Sequence, residues 1–116
     1  MKITSAKAGS RAKDEGPLFV GEVKRQALVE DGAIRLVEVE FVAGARTKMH
    51  THSTDQVLII SAGDGIVGTP SEQHNVVLGD VVFIPAGEAH FHGAAPAKGM
   101  SHYSLLGPGQ KVAILD

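Results

Sequence analysis

The sequence predicts an all-β protein built as an antiparallel sandwich or barrel. The first observation is a series of apolar segments of four to nine residues, closely spaced along the chain. The second is that glycine, proline, aspartate or serine stands between successive segments, and these are the residue types that turns require. The third is that no stretch of 12 or more residues repeats its apolar side chains with helical periodicity. Many short strands separated by turn signals are typical of sandwiches and barrels.

The predicted strands begin at residue 18, after a polar stretch over residues 1–16 that we expect to be a loosely ordered N-terminal lead-in. Segment 34–42 is a strong candidate, because its apolar residues alternate with charged ones over part of its length. We predict a turn at residues 62–65 and a surface loop at 93–99, since both are rich in glycine. The predicted strands are 18–23, 34–42, 56–61, 65–69, 73–78, 81–84, 89–93, 100–106 and 111–115.

The length and composition of the chain exclude several kinds of protein and several kinds of site. The chain has 116 residues, which suits a single domain over residues 1–116. Its net charge of −2 and lack of charge runs predict no nucleic-acid partner. The absence of cysteine excludes disulfides, thiolate zinc sites, iron–sulfur clusters and cysteine nucleophiles. The start lacks a signal-peptide pattern and no apolar run is long enough to cross a bilayer, so we expect a cytoplasmic protein without a membrane partner.

Two histidines in one extended segment indicate a metal site. Side chains in a strand alternate between its faces, so His50 and His52 project to the same side. Gln56 keeps that parity if the strand continues. Imidazole and amide groups that converge on an interior face, joined by a group from elsewhere such as His90, form a ligand set for a divalent transition ion.

The glycines, prolines and histidines around this pair follow the spacing of two known motifs. Segments 44–63 and 79–94 resemble the cupin family, whose motifs are G-x5-H-x-H-x3,4-E-x6-G and G-x5-P-x-G-x2-H-x3-N. The 15 residues between the two segments match the short spacing of small bacterial cupins. The resemblance implies a single cupin jelly-roll β-barrel. The matching positions are Gly44, His50, His52, Gly63, Gly79, Pro85, Gly87 and His90.

The same resemblance implies one divalent metal ion per chain, with four ligands. The family's glutamate is replaced by Gln56, and its closing asparagine by Ala94. Neutral ligands leave the charge of the ion uncompensated, which favours Lewis-acid chemistry over iron redox chemistry. Imidazole and carbonyl ligands suit Mn²⁺, Fe²⁺, Ni²⁺ or Zn²⁺. Mn²⁺ is favoured, because residues 85–96 look like those of bacterial manganese cupins with hydroxynitrile lyase activity. The implied ligands are His50, His52, Gln56 and His90.

Three further residues are candidates for the active site. His92 shares a strand face with His90, and His102 stands ten positions later, where the similar manganese cupins also carry a histidine. Either is a candidate catalytic base, because imidazole titrates near neutral pH. Alternatively, His92 only makes a hydrogen bond near the rim of the barrel. The alternative for His102 is a histidine exposed to solvent. Lys48 stands two positions before His50, so both side chains would lie on the same face of an extended strand. Lys48 is therefore a candidate anion-binding residue of the substrate pocket, although exposed lysines at the barrel rim are commoner.

These features predict a metal-dependent enzyme of the lyase, isomerase or decarboxylase type, acting on a small polar or anionic organic molecule. A dioxygenase is the alternative enzyme. A non-catalytic module that binds a metal or small ligand is the alternative from another class. We also expect a homodimer, because pairing through the strand around residues 18–24 would cover a sheet edge.

Overall fold

The computed structural model describes residues 1–115, which form mainly strands joined by turns. The all-β class predicted from the sequence is confirmed, since these residues form twelve strands, one 3₁₀ turn at Ala8–Ser10 and no α-helix. None of the described residues forms a helix long and apolar enough to cross a membrane. The strands are β1 Ala12–Lys13, β2 Phe19–Val20, β3 Val23–Val29, β4 Arg35–Phe41, β5 Arg46–Thr47, β6 His50–His52, β7 Gln56–Gly68, β8 Gln73–Val77, β9 Val81–Ile84, β10 Phe91–Ala94, β11 Met100–Leu106 and β12 Val112–Ile114.

The strands form a curled antiparallel sheet in the order β1-β3-β4-β11-β7-β10-β5-β2, with β8 and β9 also paired to β7. Strand β7 is 13 residues long and joins the two walls of the barrel. Its first half pairs with β11 and β9, and its second half pairs with β10 and β8. Strand β6 pairs with β12 in a separate two-stranded sheet. This arrangement is the antiparallel jelly-roll barrel that the sequence predicts.

The prediction of a turn at residues 62–65 is wrong, because these residues belong to the continuous strand β7. Gly63 has a φ of +76°, and a Cβ at this position would collide with the carbonyl oxygen of Gly99. The pairing register with β11 also shifts between Ser101 and His102, which marks a β-bulge. The glycines therefore bend a continuous strand, and the two segments predicted on either side of them are one element.

The sequence pattern also missed most of β3. The segment predicted at 18–23 covers β2, the turn at Gly21 and only the first residue of β3. Gly21 has a φ of +89°, which ends the extended run. Strand β3 continues to Val29 with half-exposed Lys24, Gln26 and other polar residues, so its apolar alternation is weak. The loop predicted at 93–99 likewise begins later, because Gly93 and Ala94 belong to β10.

Part of the N-terminal lead-in is held against the barrel. Strand β1 pairs with β3. The guanidinium of Arg11 contacts Glu38 and Glu40 on β4, each at 2.9 Å. The carboxylate of Glu38 is buried and also accepts a hydrogen bond from the hydroxyl of Ser61 at 3.1 Å. The predicted loosely ordered segment thus contains at least one buried ion pair to the sheet.

The interior of the barrel is divided into an apolar region and a polar region. The polar region contains five buried histidines together with Gln56, Thr47 and Ser104. Such a concentration of buried polar side chains is costly unless they bind each other or a ligand. The apolar region consists of Val23, Val39, Phe41, Ala45, Leu58, Ile60, Val67, Val76, Ile84, Ala94 and Met100.

Candidate metal centre

Three strand ends bring four side chains together in the polar region. His50 and His52 on β6 are both buried, as the strand alternation predicts, while Thr51 between them is only half-buried. His90 joins them because its backbone pairs with that of His50 through two hydrogen bonds of 2.9 and 3.0 Å. Gln56 begins β7 and is also buried. The two sequence motifs therefore meet at this point of the barrel.

The donor atoms of this group are spaced as ligands of one ion would be. The Nε2 atoms of His50 and His52 lie 3.2 Å apart, and the Nε2 atom of His90 lies 3.2 Å from the Oε1 atom of Gln56. The ligand atoms of the three histidines all lie within 4.8 Å of one another. Neighbouring ligands at about 2.1 Å from a shared ion are about 3.0 to 3.4 Å apart. Three histidines and one glutamine can thus bind a single metal ion here.

The hydrogen bonds of the three imidazoles support the same conclusion. Each ring has an oxygen acceptor within 2.9 Å of its Nδ1 atom, so the ring proton belongs on Nδ1 and the Nε2 lone pair faces the group. Lone pairs that face each other at 3.2 Å repel unless a cation lies between them. The acceptors are the carbonyl oxygen of Lys48 for His50, the side-chain oxygen of Gln110 for His52 and the carbonyl oxygen of Glu88 for His90.

Gln56 is oriented by a residue that sequence reasoning missed. Its amide nitrogen donates to the hydroxyl of Ser104 at 2.8 Å, which turns its oxygen toward His90. Ser104 lies two residues after His102 on β11, so strand parity was a signal that could have found it. Gln110 was missed as well. It lies 58 residues from His52 in a glycine-containing turn, and no sequence pattern marks it.

Burial keeps the three imidazoles uncharged. Burial lowers the pKa of His50 from 6.5 to about 4, with a smaller contribution from the neighbouring His90 and His52 and against the opposing effect of the hydrogen bond to Lys48. Burial also lowers the pKa of His52 and of His90, although each has a hydrogen bond that opposes the shift. At neutral pH all three rings are neutral, which is the form that binds a metal ion.

His92 and His102 form a second buried pair beside this group. The Nε2 atom of His102 lies 2.9 Å from the Nδ1 atom of His92, and the His92 ring stacks on that of His90 at 5.6 Å between centroids. Burial lowers the pKa of His92 well below 6.5 and that of His102 to about 4. The other ring nitrogen of each residue has no hydrogen-bond partner among the described residues. Both residues also line a cavity.

A cavity of about 110 Å³ connects the two histidine groups. Arg25 is the one charged residue among the described residues that line it, and its guanidinium lies 3.3 Å from the carboxylate of Asp14. The other wall residues are six apolar and seven polar residues. They include Leu18, Phe19, Val37, Val39, Leu106 and Val112, and the polar lining consists of His50, His52, Gln56, His92, His102, Ser104 and Gln110.

The structure places Lys48 outside the cavity. Its side chain is exposed and it does not line the cavity. The parity argument fails because residues 48 and 49 lie between β5 and β6, so the strand alternation is interrupted before His50. Lys48 contributes through its backbone instead, since its carbonyl oxygen accepts the hydrogen bond from His50.

Comparisons with known proteins agree with the fold. The AraC-like ligand binding domain family matches residues 36–113. The (R)-mandelonitrile lyase of Granulicella tundricola is 40% identical over 108 residues, covering 85% of this chain and 80% of that protein. A cupin-like protein from Thermotoga maritima is 30% identical, with a TM-score of 0.87 over 95% of this chain and 89% of that one.

Another solved structure has a lower sequence identity to this chain but a similar fold. A cupin 2 conserved barrel domain protein from Rhodopseudomonas palustris is 19% identical and has a TM-score of 0.82 over 100% of this chain and 87% of that one. The metal-site geometry, the barrel and these matches lead to one conclusion. The chain belongs to the cupin superfamily, as a member of the AraC-like ligand binding domain family.

Proposed function

We propose that this protein is a metal-dependent lyase that cleaves small α-hydroxynitriles into an aldehyde and hydrogen cyanide. The observation that carries the proposal is the buried His92–His102 pair, which lies beside the three-histidine group and lines the same cavity. A proton acceptor next to a candidate Lewis-acid site suits a reaction that removes a hydroxyl proton. The 40% identity to an (R)-mandelonitrile lyase supports this reaction in particular.

The reaction assigns a role to each group in the cavity. His50, His52, Gln56 and His90 would hold the ion, which when bound supplies Lewis acidity toward an oxygen or nitrogen of the substrate. The His92–His102 pair accepts the hydroxyl proton as the carbon–carbon bond to the nitrile breaks, and returns it to the departing cyanide. The pair therefore ends the reaction in its starting protonation state, and the hydroxyl proton leaves with hydrogen cyanide. The products are one aldehyde and one molecule of hydrogen cyanide.

The cavity walls favour an uncharged substrate with an apolar body. Leu18, Phe19 and Leu106 line the cavity, and Arg25 is already paired with Asp14. An apolar wall gives burial energy to an aromatic or branched aliphatic group but no compensation to a buried anion. We therefore propose a neutral hydroxynitrile in preference to the anionic molecule that the sequence also allowed.

The test is cleavage of racemic mandelonitrile, followed by the absorbance of benzaldehyde. Metal-free protein is loaded separately with Mn²⁺, Fe²⁺, Ni²⁺ and Zn²⁺, and dioxygen uptake is measured in parallel. We expect cleavage with at least one ion and no dioxygen uptake. His102→Ala should lower kcat about 100-fold or more while the metal content stays unchanged. His74→Ala is the control, because this histidine is exposed and lies outside the cavity.

Equal turnover by wild type and His102→Ala would remove the histidine pair from the mechanism. Dioxygen consumption with the iron-loaded protein would instead favour a dioxygenase. A lack of turnover with every ion would contradict the lyase proposal.

A second candidate function is ligand binding without turnover. The observation that favours it is the match to a ligand-binding-domain family over residues 36–113. A metal ion in the three-histidine group would then anchor a small ligand in the cavity. A hydroxynitrile or aldehyde that binds tightly and is recovered unchanged after prolonged incubation would support this function.

A further inference from the structure

The ring of His52 is held differently from the other two imidazoles of the metal centre. His50 and His90 each donate to a backbone carbonyl oxygen two residues earlier in the chain. A backbone acceptor of this kind is present whatever the side chain at that position. His52 instead donates to the side-chain oxygen of Gln110, at 2.8 Å. Its orientation therefore depends on the identity of one distant residue.

Gln110 reaches His52 on a C-terminal segment, residues 107–115, which we call the strap. The strap lies along β6 and its flanks through backbone hydrogen bonds. Ser53 donates to the carbonyl oxygen of Lys111 at 3.0 Å, and Leu115 donates to that of Met49 at 2.8 Å. Strand β12 of the strap pairs Val112 with His52 itself. The strap is thus bound to the same strand that carries two of the candidate ligands.

We infer that Gln110 is a positioning residue that keeps His52 in the Nδ1–H form and couples docking of the strap to metal affinity. Without an acceptor at Nδ1, the His52 ring also populates the Nε2–H form, which places a proton where the ligand lone pair should be. A carboxylate at position 110 would accept the same proton and make the ring a stronger ligand. The inference rests on the metal-binding part of the proposed function and is independent of the lyase reaction.

The test compares Gln110→Leu and Gln110→Glu with wild type, and uses Lys111→Ala as the control. Lys111 is the exposed neighbour of Gln110 on the strap and holds the strap through its backbone. Two quantities are measured on the full chain: Mn²⁺ and Zn²⁺ affinity by competition with a chelator, and the tautomer of His52 in metal-free protein by ¹H–¹⁵N correlation NMR. Circular dichroism of each metal-free variant checks the fold.

Gln110→Leu should weaken affinity for both ions about 10- to 100-fold and shift His52 toward the Nε2–H form. Gln110→Glu should bind at least as tightly as wild type, and Lys111→Ala should match wild type in both measurements. The inference is overturned if Gln110→Leu retains affinity within about twofold, or if it loses affinity while His52 keeps the Nδ1–H form. Wild type that binds no ion also overturns it. Wild type that binds an ion but cleaves no hydroxynitrile contradicts only the lyase.

Discussion

Gln56 determines how much of the charge of a bound ion the protein compensates. Its amide oxygen lies 3.2 Å from the Nε2 atom of His90, and its amide nitrogen is held by Ser104. Because the three imidazoles are neutral as well, the four donors carry no charge. An ion in such a site keeps its full charge and is a stronger Lewis acid than one bound to a carboxylate.

Gln56→Glu should therefore tighten the binding of a divalent ion and slow the reaction. A carboxylate at this position adds one negative charge next to the ion, so we expect an affinity at least about tenfold higher and a kcat at least about tenfold lower. Chelator competition and steady-state kinetics measure the two effects. Ser104→Ala is the matched control, because it frees the Gln56 amide without adding charge and should weaken binding instead. A Gln56→Glu protein with weaker affinity than wild type would contradict this account of the charge.

Among the elements, the N-terminal segment is attached to the barrel by the pairing of β1 with β3 and by a buried ion pair. The side chains of Arg11 and Glu38 are 13% and 5% exposed, and their charged atoms lie 2.9 Å apart. Breaking such a pair leaves a charge uncompensated in a poorly solvated place. The exposed pair between Lys2 and Asp31, at 76% and 61% exposure, provides an internal comparison.

Arg11→Met should lower the free energy of unfolding by about 3 kcal/mol, because Glu38 is then buried without its partner. Lys2→Ala should leave it nearly unchanged, since solvent screens an exposed pair. Urea unfolding of both variants measures the difference. Similar values for the two variants would show that the attachment of the segment does not depend on this ion pair.

The elements also show where sequence reasoning succeeds and where it fails. The parity of His50, His52 and Gln56 was predictable, because a two-residue period depends only on local extended structure. The bend in β7 was not, because Gly63 meets the requirements of both a turn and a close approach to Gly99. The bond from His52 to Gln110 was also beyond prediction. It depends on the docking of a segment 58 residues away, and this docking produces no periodic pattern in the sequence.

Over the whole molecule, five neutral histidines in the barrel interior link stability to pH. His50 and His102 have pKa values of about 4 in the folded protein, against 6.5 for an ordinary histidine. Between these values the unfolded chain binds more protons than the folded chain, so folding becomes less favourable as the pH falls. Burial lowers the pKa of His52, His90 and His92 in the same direction.

The metal-free protein should therefore be most stable above pH 6.5 and lose stability as the pH falls toward 4. Each fully shifted histidine contributes up to about 1.4 kcal/mol per pH unit in this window. Urea unfolding at intervals between pH 7.5 and about pH 4.5 measures the slope. A flat profile between neutral pH and about pH 5 would mean that the interior histidines are not held neutral.

Elemental analysis of the protein purified from its own source, without added metal, tests the central claim most directly. That claim is that His50, His52, Gln56 and His90 bind one divalent ion in the barrel. We predict one equivalent of a divalent transition metal per chain in wild type, and less than about a tenth of an equivalent in the double variant His50→Ala/His90→Ala. A wild-type protein without stoichiometric metal, or a double variant that retains it, would contradict the account.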